Sequence, residues 1–149
     1  MKNFFFFLIF AFTASFFNAQ NIKKKITNNN EHFNGKIDNS ESLKVLFESV
    51  SPENAKPETF KVSGYSDVEG TKADFEGTIT FNPEKSKNFK DKSVKIYDFK
   101  LSEKGTGKHN GVFTGELTVK KSSEKQQLKF EGTWANYENT LKFPFYFNN

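Results

Sequence analysis

Strict alternation of apolar and polar residues is the feature that most constrains the fold of this chain. In the segment 74–81, apolar residues and glycine occupy every odd position, and Asp, Glu and Thr occupy the even positions. The same rhythm recurs in the segments 113–119, 128–134 and 141–147. A period of two places alternate side chains on opposite faces of an extended strand, so each segment is predicted to be a strand with one buried face. In the last segment Pro144 lies on the polar face, which favours an edge or closing strand.

Three further segments have a rougher apolar pattern: Leu43 to Val50, Thr59 to Tyr65 and Val94 to Leu101. In the third, the apolar phase changes after Ile96, and we predict a β-bulge near that residue. Turn-forming residues separate the segments, and no segment shows sustained helical spacing. We therefore predict an all-β fold, a single antiparallel meander of seven or eight strands curled into a small up-and-down barrel or flattened barrel.

In shape, such a meander with inward aromatic side chains resembles the lipocalin-type barrel. The Gly-x-Trp motif that this family carries near its first strand is absent here, because the single tryptophan, Trp134, lies near the C-terminus. The resemblance therefore concerns shape, and shape does not determine function.

The N-terminus has the composition of a secretory signal peptide. Lys2 precedes a nearly unbroken apolar run from Phe4 to Phe12, and small residues follow. We predict a signal peptide over 1–19, cleaved within 15–20, then a polar N-terminal arm over 20–42 with room for one short strand, and a β-barrel-like domain over 43–149. The expected location is the periplasm or the cell exterior, with no membrane span after cleavage. The alternative is an uncleaved membrane anchor, which Phe17 favours because a small residue is expected three positions before a cut after Ala19.

Composition narrows the classes of function. The sequence has no cysteine, which excludes disulfides and thiolate metal sites. All 22 basic residues are lysines in a chain of net charge +4, so the planar side chain that reads guanine and grips phosphate in two places is missing. We expect no nucleic-acid partner. Lysines concentrate in the segments 85–92 and 120–125, which we interpret as solubilising surface, with anionic lipid headgroups or an acidic partner as the alternative.

No set of side chains predicts catalysis. His32 lies in the polar arm and His109 in a predicted turn between Gly105 and Gly111, so neither has the partly buried setting of a catalytic base. That turn superficially resembles a phosphate-binding loop, but His109 stands where Ser or Thr holds magnesium, and a strand follows. Four acidic residues lie close together in another predicted hairpin: Asp67, Glu69, Asp74 and Glu76. Their spacing matches no calcium loop. We expect a protein that is not an enzyme and has no cofactor and no metal.

One pattern recurs in three of the predicted strands, namely Phe-x-Gly on the apolar face. Its glycines are Gly77, Gly115 and Gly132. Because glycine weakens a strand, three inward glycines indicate either sharp barrel bends or room for a ligand against the backbone.

An aromatic interior favours an exported, non-catalytic β-barrel binding protein that holds a small apolar ligand. The candidate wall residues are Phe75, Phe113, Phe130, Trp134, Phe143 and Phe145. The alternative is a protein-interaction module, such as an inhibitor or envelope accessory factor, that binds an envelope or extracellular protein through loops at one barrel end. The interior volume separates the two, because an empty aromatic-lined cavity favours a ligand and a packed interior favours a protein partner.

Overall fold

Eight antiparallel strands form a closed up-and-down barrel in sequence order, which confirms the predicted fold class. The computed structural model describes residues 23, 24, 26, 27, 31–121 and 126–149, so the predicted signal peptide lies outside the described residues. Each strand pairs with the next one along the chain, and the last pairs with the first. The strands are β1 (Phe33–Ile37), β2 (Glu41–Glu53), β3 (Lys56–Val68), β4 (Thr71–Phe81), β5 (Val94–Glu103), β6 (Gly111–Lys121), β7 (Gln126–Asn136) and β8 (Lys142–Asn148).

Strand β1 closes the barrel; the predicted polar arm had room for one short strand, but the barrel-like domain was predicted to begin only at residue 43. Strand β1 pairs with β2 on one side and with β8 on the other, where Gly35 faces Phe147. Phe33 and Ile37 are buried while Asn34 is exposed, so β1 follows the same alternation as the longer strands. Five residues among polar neighbours are too few for that rhythm to stand out in the sequence. The barrel thus begins at Phe33, and Pro144 lies in its closing strand.

Aromatic rings fill the middle of the barrel. Phe130 is fully buried, and its ring lies 4.6 to 5.4 Å, centroid to centroid, from the rings of four other phenylalanines. Those four are Phe33, Phe47, Phe99 and Phe147. An eight-stranded barrel is just wide enough for side chains to fill, and rings of this size fill it here.

Two of the recurrent glycines bring β6 and β7 close together. Gly115 and Gly132 are register partners. A Cβ on Gly115 would lie 2.0 Å from the carbonyl oxygen of Glu131, and a Cβ on Gly132 would lie 2.0 Å from that of Thr114. At Gly77 the neighbouring backbone is equally close, 2.1 Å from the added atom. The space beside each glycine is therefore occupied by the backbone of the adjacent strand.

The β-bulge predicted near Ile96 is wrong. Strand β5 pairs with β6 from Val94 to Ser102 without a register shift. Val94 and Ile96 lie on the outer face of the barrel, and Ile96 is only 1 % exposed because the short helix Pro83–Lys87 lies over β5. The apolar phase of β5 changes because its first apolar residues, Val94 and Ile96, are buried on the outer face under the helix, whereas the apolar residues that follow face the barrel interior. The register shifts that do occur are in β2, after Phe47 and after Pro52.

The short helix is held on β5 by Asn82 and Lys85. The Asn82 side chain caps the helix by accepting from the Lys85 backbone N–H at 2.9 Å, and Pro83 occupies the first helical position. Asn82 Nδ2 and Lys85 Nζ then donate to the two carboxylate oxygens of Asp98, at 2.6 and 2.7 Å. The Asp98 carboxylate thus joins the helix and its cap to the barrel wall. Glu116, which also contacts Lys85, and the hydrogen bond from the Ile96 N–H to Ser86 Oγ contribute to the same attachment.

The meander places four connections at one end of the barrel, which we call the open end. They are the segments 38–40, 69–70, 104–110 and 137–141. The part of the chain that the structure describes contains no helix with the length and apolarity needed to cross a membrane.

Candidate functional site

At the open end the barrel interior widens into a solvent-accessible cavity of about 570 Å³, which we call the cup. Its lining is mixed: polar and charged residues contribute to it together with an apolar part that includes Ile37, Val68, Phe113, Trp134 and Phe143. All of these residues stand at the ends of strands where the meander turns at the open end. The cup is therefore a product of barrel closure rather than of one segment.

The carboxylate of Glu103 lies buried in the lining of the cup, with only 5 % of the residue exposed. Its Oε1 accepts a hydrogen bond from Ser66 Oγ at 2.5 Å. Its Oε2 accepts two, from the Gly111 backbone N–H at 2.9 Å and from Trp134 Nε1 at 3.0 Å. Glu103 thereby links β3, β5, β6 and β7 beneath the cup.

The strand geometry explains why a carboxylate is buried here. Tyr97, Phe99 and Leu101 face the barrel interior, and Glu103 continues the same phase at the last residue of β5. Burying a carboxylate is costly unless hydrogen bonds replace its water, and the three donors do so. Each of these donors is an uncharged group, and among the described residues no lysine or histidine forms an ion pair with Glu103.

Tyr137 ties the neighbouring loop to the same residue. Its hydroxyl donates to the backbone carbonyl of Glu103. Burial, followed by the negative charge of Glu103, raises the pKa of Tyr137 above its ordinary value. The phenol therefore stays protonated and remains a donor over the physiological range.

Aromatic faces form one side of the cup. The rings of Trp134 and Phe143 are stacked, with centroids 5.9 Å apart and planes at 11°. Phe113 packs edge to face on Phe145 at 4.9 Å, which connects the cup to the packed interior. Phe113 itself is 1 % exposed and Trp134 is 5 % exposed, so both are held in place by the core.

Charged side chains surround the mouth of the cup, and acidic residues outnumber basic ones. Glu41, Glu69, Lys72 and His109 lie there, above Glu103. The Glu69 carboxylate accepts from the Ser42 backbone N–H at 2.5 Å. The Lys72 ammonium lies 4.6 Å from the ring centroid of Tyr65, which is on the outer face of β3. The positive charge of Lys72 is therefore directed at an aromatic ring outside the cup.

The six predicted wall residues divide into two groups. Phe113, Trp134 and Phe143 line the cup. Phe75, Phe130 and Phe145 belong to the packed core below it, where Phe75 lies 5.5 Å from Phe47, ring to ring. The three recurrent glycines lie in the strands without contributing to the cup lining.

Sequence reasoning missed Glu103 and Ser66. A signal for Glu103 existed, because it stands two residues after Leu101 in the inward phase of β5. Ser66 is likewise inward in β3, opposite Ala73, and 1 % exposed. Both are polar residues at positions where alternation predicts an apolar side chain.

The residues weighed for metal or acid–base chemistry are dispersed. His32 Nε2 hydrogen-bonds to the Tyr65 hydroxyl at 2.7 Å, whereas His109 is exposed at the mouth of the cup. Asp67 accepts from the Gly70 backbone N–H in the β3–β4 turn, and Glu76 pairs with Lys104 at 2.7 Å on the outer surface. No group of three or more potential metal-binding side chains occurs within the described part of the chain.

The first lysine cluster is largely engaged in local contacts. Lys85 Nζ lies 2.7 Å from both Asp98 and Glu116, and these two hydrogen bonds raise its pKa. Lys87 pairs with Glu84 at 3.0 Å, and Lys92 donates to two backbone carbonyls. Among the described lysines of the segment 85–92, only Lys90 has no ion pair or hydrogen bond of this kind in the structure.

No protein-family model matches the sequence, and comparisons with curated proteins and with solved structures find no match either. The geometry of the cup is therefore the basis on which a function is proposed.

Proposed function

We propose that the protein is an exported, non-catalytic binding protein that holds a small molecule in the cup at the open end of its barrel. The observation that carries this proposal is an open cavity of about 570 Å³ with an aromatic wall and one buried carboxylate. Small-molecule sites are typically cavities of about 300–1,000 Å³, mostly apolar, with a few polar groups that orient the ligand.

The packed middle of the barrel leaves no room for a ligand there, and by the criterion of interior volume it favours the protein-partner alternative; the cup is the space that supports a small-molecule site. The rings around Phe130 occupy the middle of the barrel, so the cup, and not a central channel, is the proposed site. An apolar portion of the ligand would lie against Trp134 and Phe143. Glu103 is the one charged group that the core holds rigidly beside it.

Binding without catalysis accounts for the arrangement of the polar groups. Ser66 Oγ donates to Glu103, and its other contact is to the Ala73 carbonyl at 3.4 Å. A hydrolytic site needs a nucleophile that the substrate can reach, whereas Ser66 is only 1 % exposed and donates to a carboxylate that already accepts two further hydrogen bonds. The apolar N-terminal segment supports a further proposal, that the protein is located in the periplasm or outside the cell. The mass of the exported protein tests this proposal, and we expect it to show the loss of 15–20 residues.

Native mass spectrometry of the protein purified from its own host tests whether the cup carries a ligand. The expected result is a retained small molecule that is released when the protein unfolds. Recovery of the protein with a stoichiometric protein partner and no small molecule would support the interaction-module alternative instead.

A variant that fills the cup tests whether the retained molecule binds there. Ala73 faces the interior at the cup lining, so Ala73→Phe occupies the cavity. Ala135 lies on the outer face of β7, so Ala135→Phe adds the same ring outside the barrel. We expect Ala73→Phe to lose the retained molecule and Ala135→Phe to keep it. Equal retention by both folded variants would contradict the cup as the site.

A further inference from the structure

We infer that Glu103 makes the cup selective for a cation, and that the bound molecule carries a protonated amine on an apolar or aromatic body. This inference rests on the proposed function and specifies the chemistry of its ligand. It follows from three features of the cup: the hydrogen-bonding capacity left on Glu103, the balance of charge in the lining and the aromatic wall.

Glu103 has an acceptor position to spare. A carboxylate offers about four lone-pair sites. Oε2 accepts from Gly111 and Trp134 and is saturated, whereas Oε1 accepts from Ser66 alone. One lone pair of Oε1 is therefore left unused by the network, and it is the position that we assign to the ligand's donor.

A charged donor satisfies this position better than a neutral one. The existing donors of Glu103 are a hydroxyl, a backbone amide and an indole, and none of them carries a compensating positive charge. The bonds that Glu103 already accepts are assisted by the charge of the carboxylate alone, whereas an ammonium donor adds the Coulomb attraction between opposite charges, and burial reduces the screening of that attraction by solvent. An ammonium group in the cup would supply the missing countercharge.

The remainder of the lining favours the same sign of charge. Glu41, Glu69 and Glu103 contribute three carboxylates, against one lysine, Lys72, and the imidazole of His109. Since the Lys72 ammonium lies over Tyr65 on the outer face, it does not neutralise Glu103. An anionic ligand would meet the buried charge of Glu103, with which no described lysine or histidine forms an ion pair.

The aromatic wall gives the uncharged body of the ligand a surface beside the carboxylate. Trp134 donates its Nε1–H to Glu103, so the indole ring and the carboxylate are next to each other in the cup. The indole N–H lies in the plane of its ring, so Glu103 stands at the edge of Trp134 and not over its face. The rings of the wall thus give an apolar body a surface to pack on.

Three small probes of similar shape test the inference on the wild-type protein. They are phenethylamine, the neutral 2-phenylethanol and the anionic 3-phenylpropionate, each titrated near pH 7 and followed by calorimetry and by the fluorescence of the single tryptophan. We expect the amine to bind about tenfold or more tightly than the alcohol, and the alcohol more tightly than the carboxylate. Equal affinity for the amine and the alcohol would overturn the inference and leave the proposed function standing. Failure of all three probes, together with absence of a retained molecule from the host, would overturn both.

Glu103→Gln identifies the group responsible. The glutamine carbonyl can accept from Gly111 and Trp134, and its amide can donate to Ser66, because a hydroxyl also accepts. The fold should therefore survive, which the melting temperature checks. We expect E103Q to abolish the preference for the amine while the affinity for the alcohol changes by less than about threefold. The control is E131Q, which makes the same change of charge on the outer face of β7, beside Lys129, and should keep the preference. A folded E103Q that still prefers the amine about tenfold would overturn the role of Glu103.

Discussion

Trp134 Nε1 donates to Oε2 of Glu103 at 3.0 Å across 31 residues of sequence, and this bond joins the aromatic wall of the cup to its buried carboxylate. Glu103 also accepts from β3 and from the first residue of β6. The open end is thus organised around one side chain, whose partners come from three other strands.

The bond from the indole is expected to be important for stability. Trp134→Phe keeps an aromatic ring but removes the donor, and loss of a hydrogen bond to a charged group costs about 1.5–3 kcal/mol in the free energy of unfolding. Urea denaturation followed by circular dichroism measures it. The comparison is Tyr137→Phe, which removes a hydrogen bond to a backbone carbonyl and should cost about 1 kcal/mol. A loss from Trp134→Phe no larger than that from Tyr137→Phe would contradict the central place of Glu103.

Because β6 and β7 lie close together at Gly115, we expect that adding a methyl group there destabilises the fold. A Cβ there would lie 2.0 Å from a carbonyl oxygen of the paired strand, and backbone cannot move aside as a flexible side chain does. We expect Gly115→Ala to lower the free energy of unfolding by about 1–3 kcal/mol, as overpacking does. Gly107→Ala is the control, because its nearest atom is the Asn110 side-chain oxygen at 3.0 Å. A similar loss for the two variants would argue against strand contact as the reason for this glycine.

The contact between the short helix and β5 predicts that the free energy of unfolding depends on pH in the acid range. Burial raises the pKa of Asp98, but the hydrogen bonds from Lys85 and Asn82 and the Lys85 charge outweigh burial, so the pKa lies below the ordinary 3.8. A depressed folded-state pKa contributes stability that is complete above 3.8 and is lost as the pH falls through the lower folded-state value. Asp98→Asn should therefore flatten the acid side of the stability profile measured by urea midpoints. Glu84→Gln, which affects an exposed pair on the same helix, should leave that profile unchanged.

The buried side chain of Tyr97 predicts how the stability of the protein changes at alkaline pH. Burial, followed by the charge of Glu58, raises the pKa of Tyr97 from 10.0 to about 12. Because the folded-state value is the higher one, the contribution to stability is complete below pH 10 and is lost as the pH rises through about 12. Absorbance at the phenolate band should show a phase near pH 12 that Tyr97→Phe removes, while Tyr137, whose pKa is also raised, keeps its own contribution in that variant. A titration in which Tyr97→Phe removes an early phase would contradict its burial.

The strands and their buried faces were predictable because alternation is a local property. Strands β4, β6, β7 and β8 were predicted from period two alone, and in β6 the residues Phe113, Leu117 and Val119 are buried as the pattern required. The phase change at Ile96 was misread, since a helix that covers an outer face leaves the same sequence signature as a bulge. Half of the predicted wall lines the cup, because a pattern indicates that a side chain faces inward but not how deep along the barrel it lies.

The sequence by itself determined that the chain is a meander of amphipathic strands, that one face of each strand is buried and that no thiol chemistry is possible. Only the tertiary structure decided that β1 closes the barrel, that phenylalanines fill its middle and that Glu103 lies buried beside an open cup. The physical reason is the sequence distance over which each property is decided. The face on which a side chain lies depends on its immediate neighbours in the strand, whereas the burial of a carboxylate depends on donors such as Ser66 and Trp134, which lie 37 and 31 residues away and meet it only when the barrel closes.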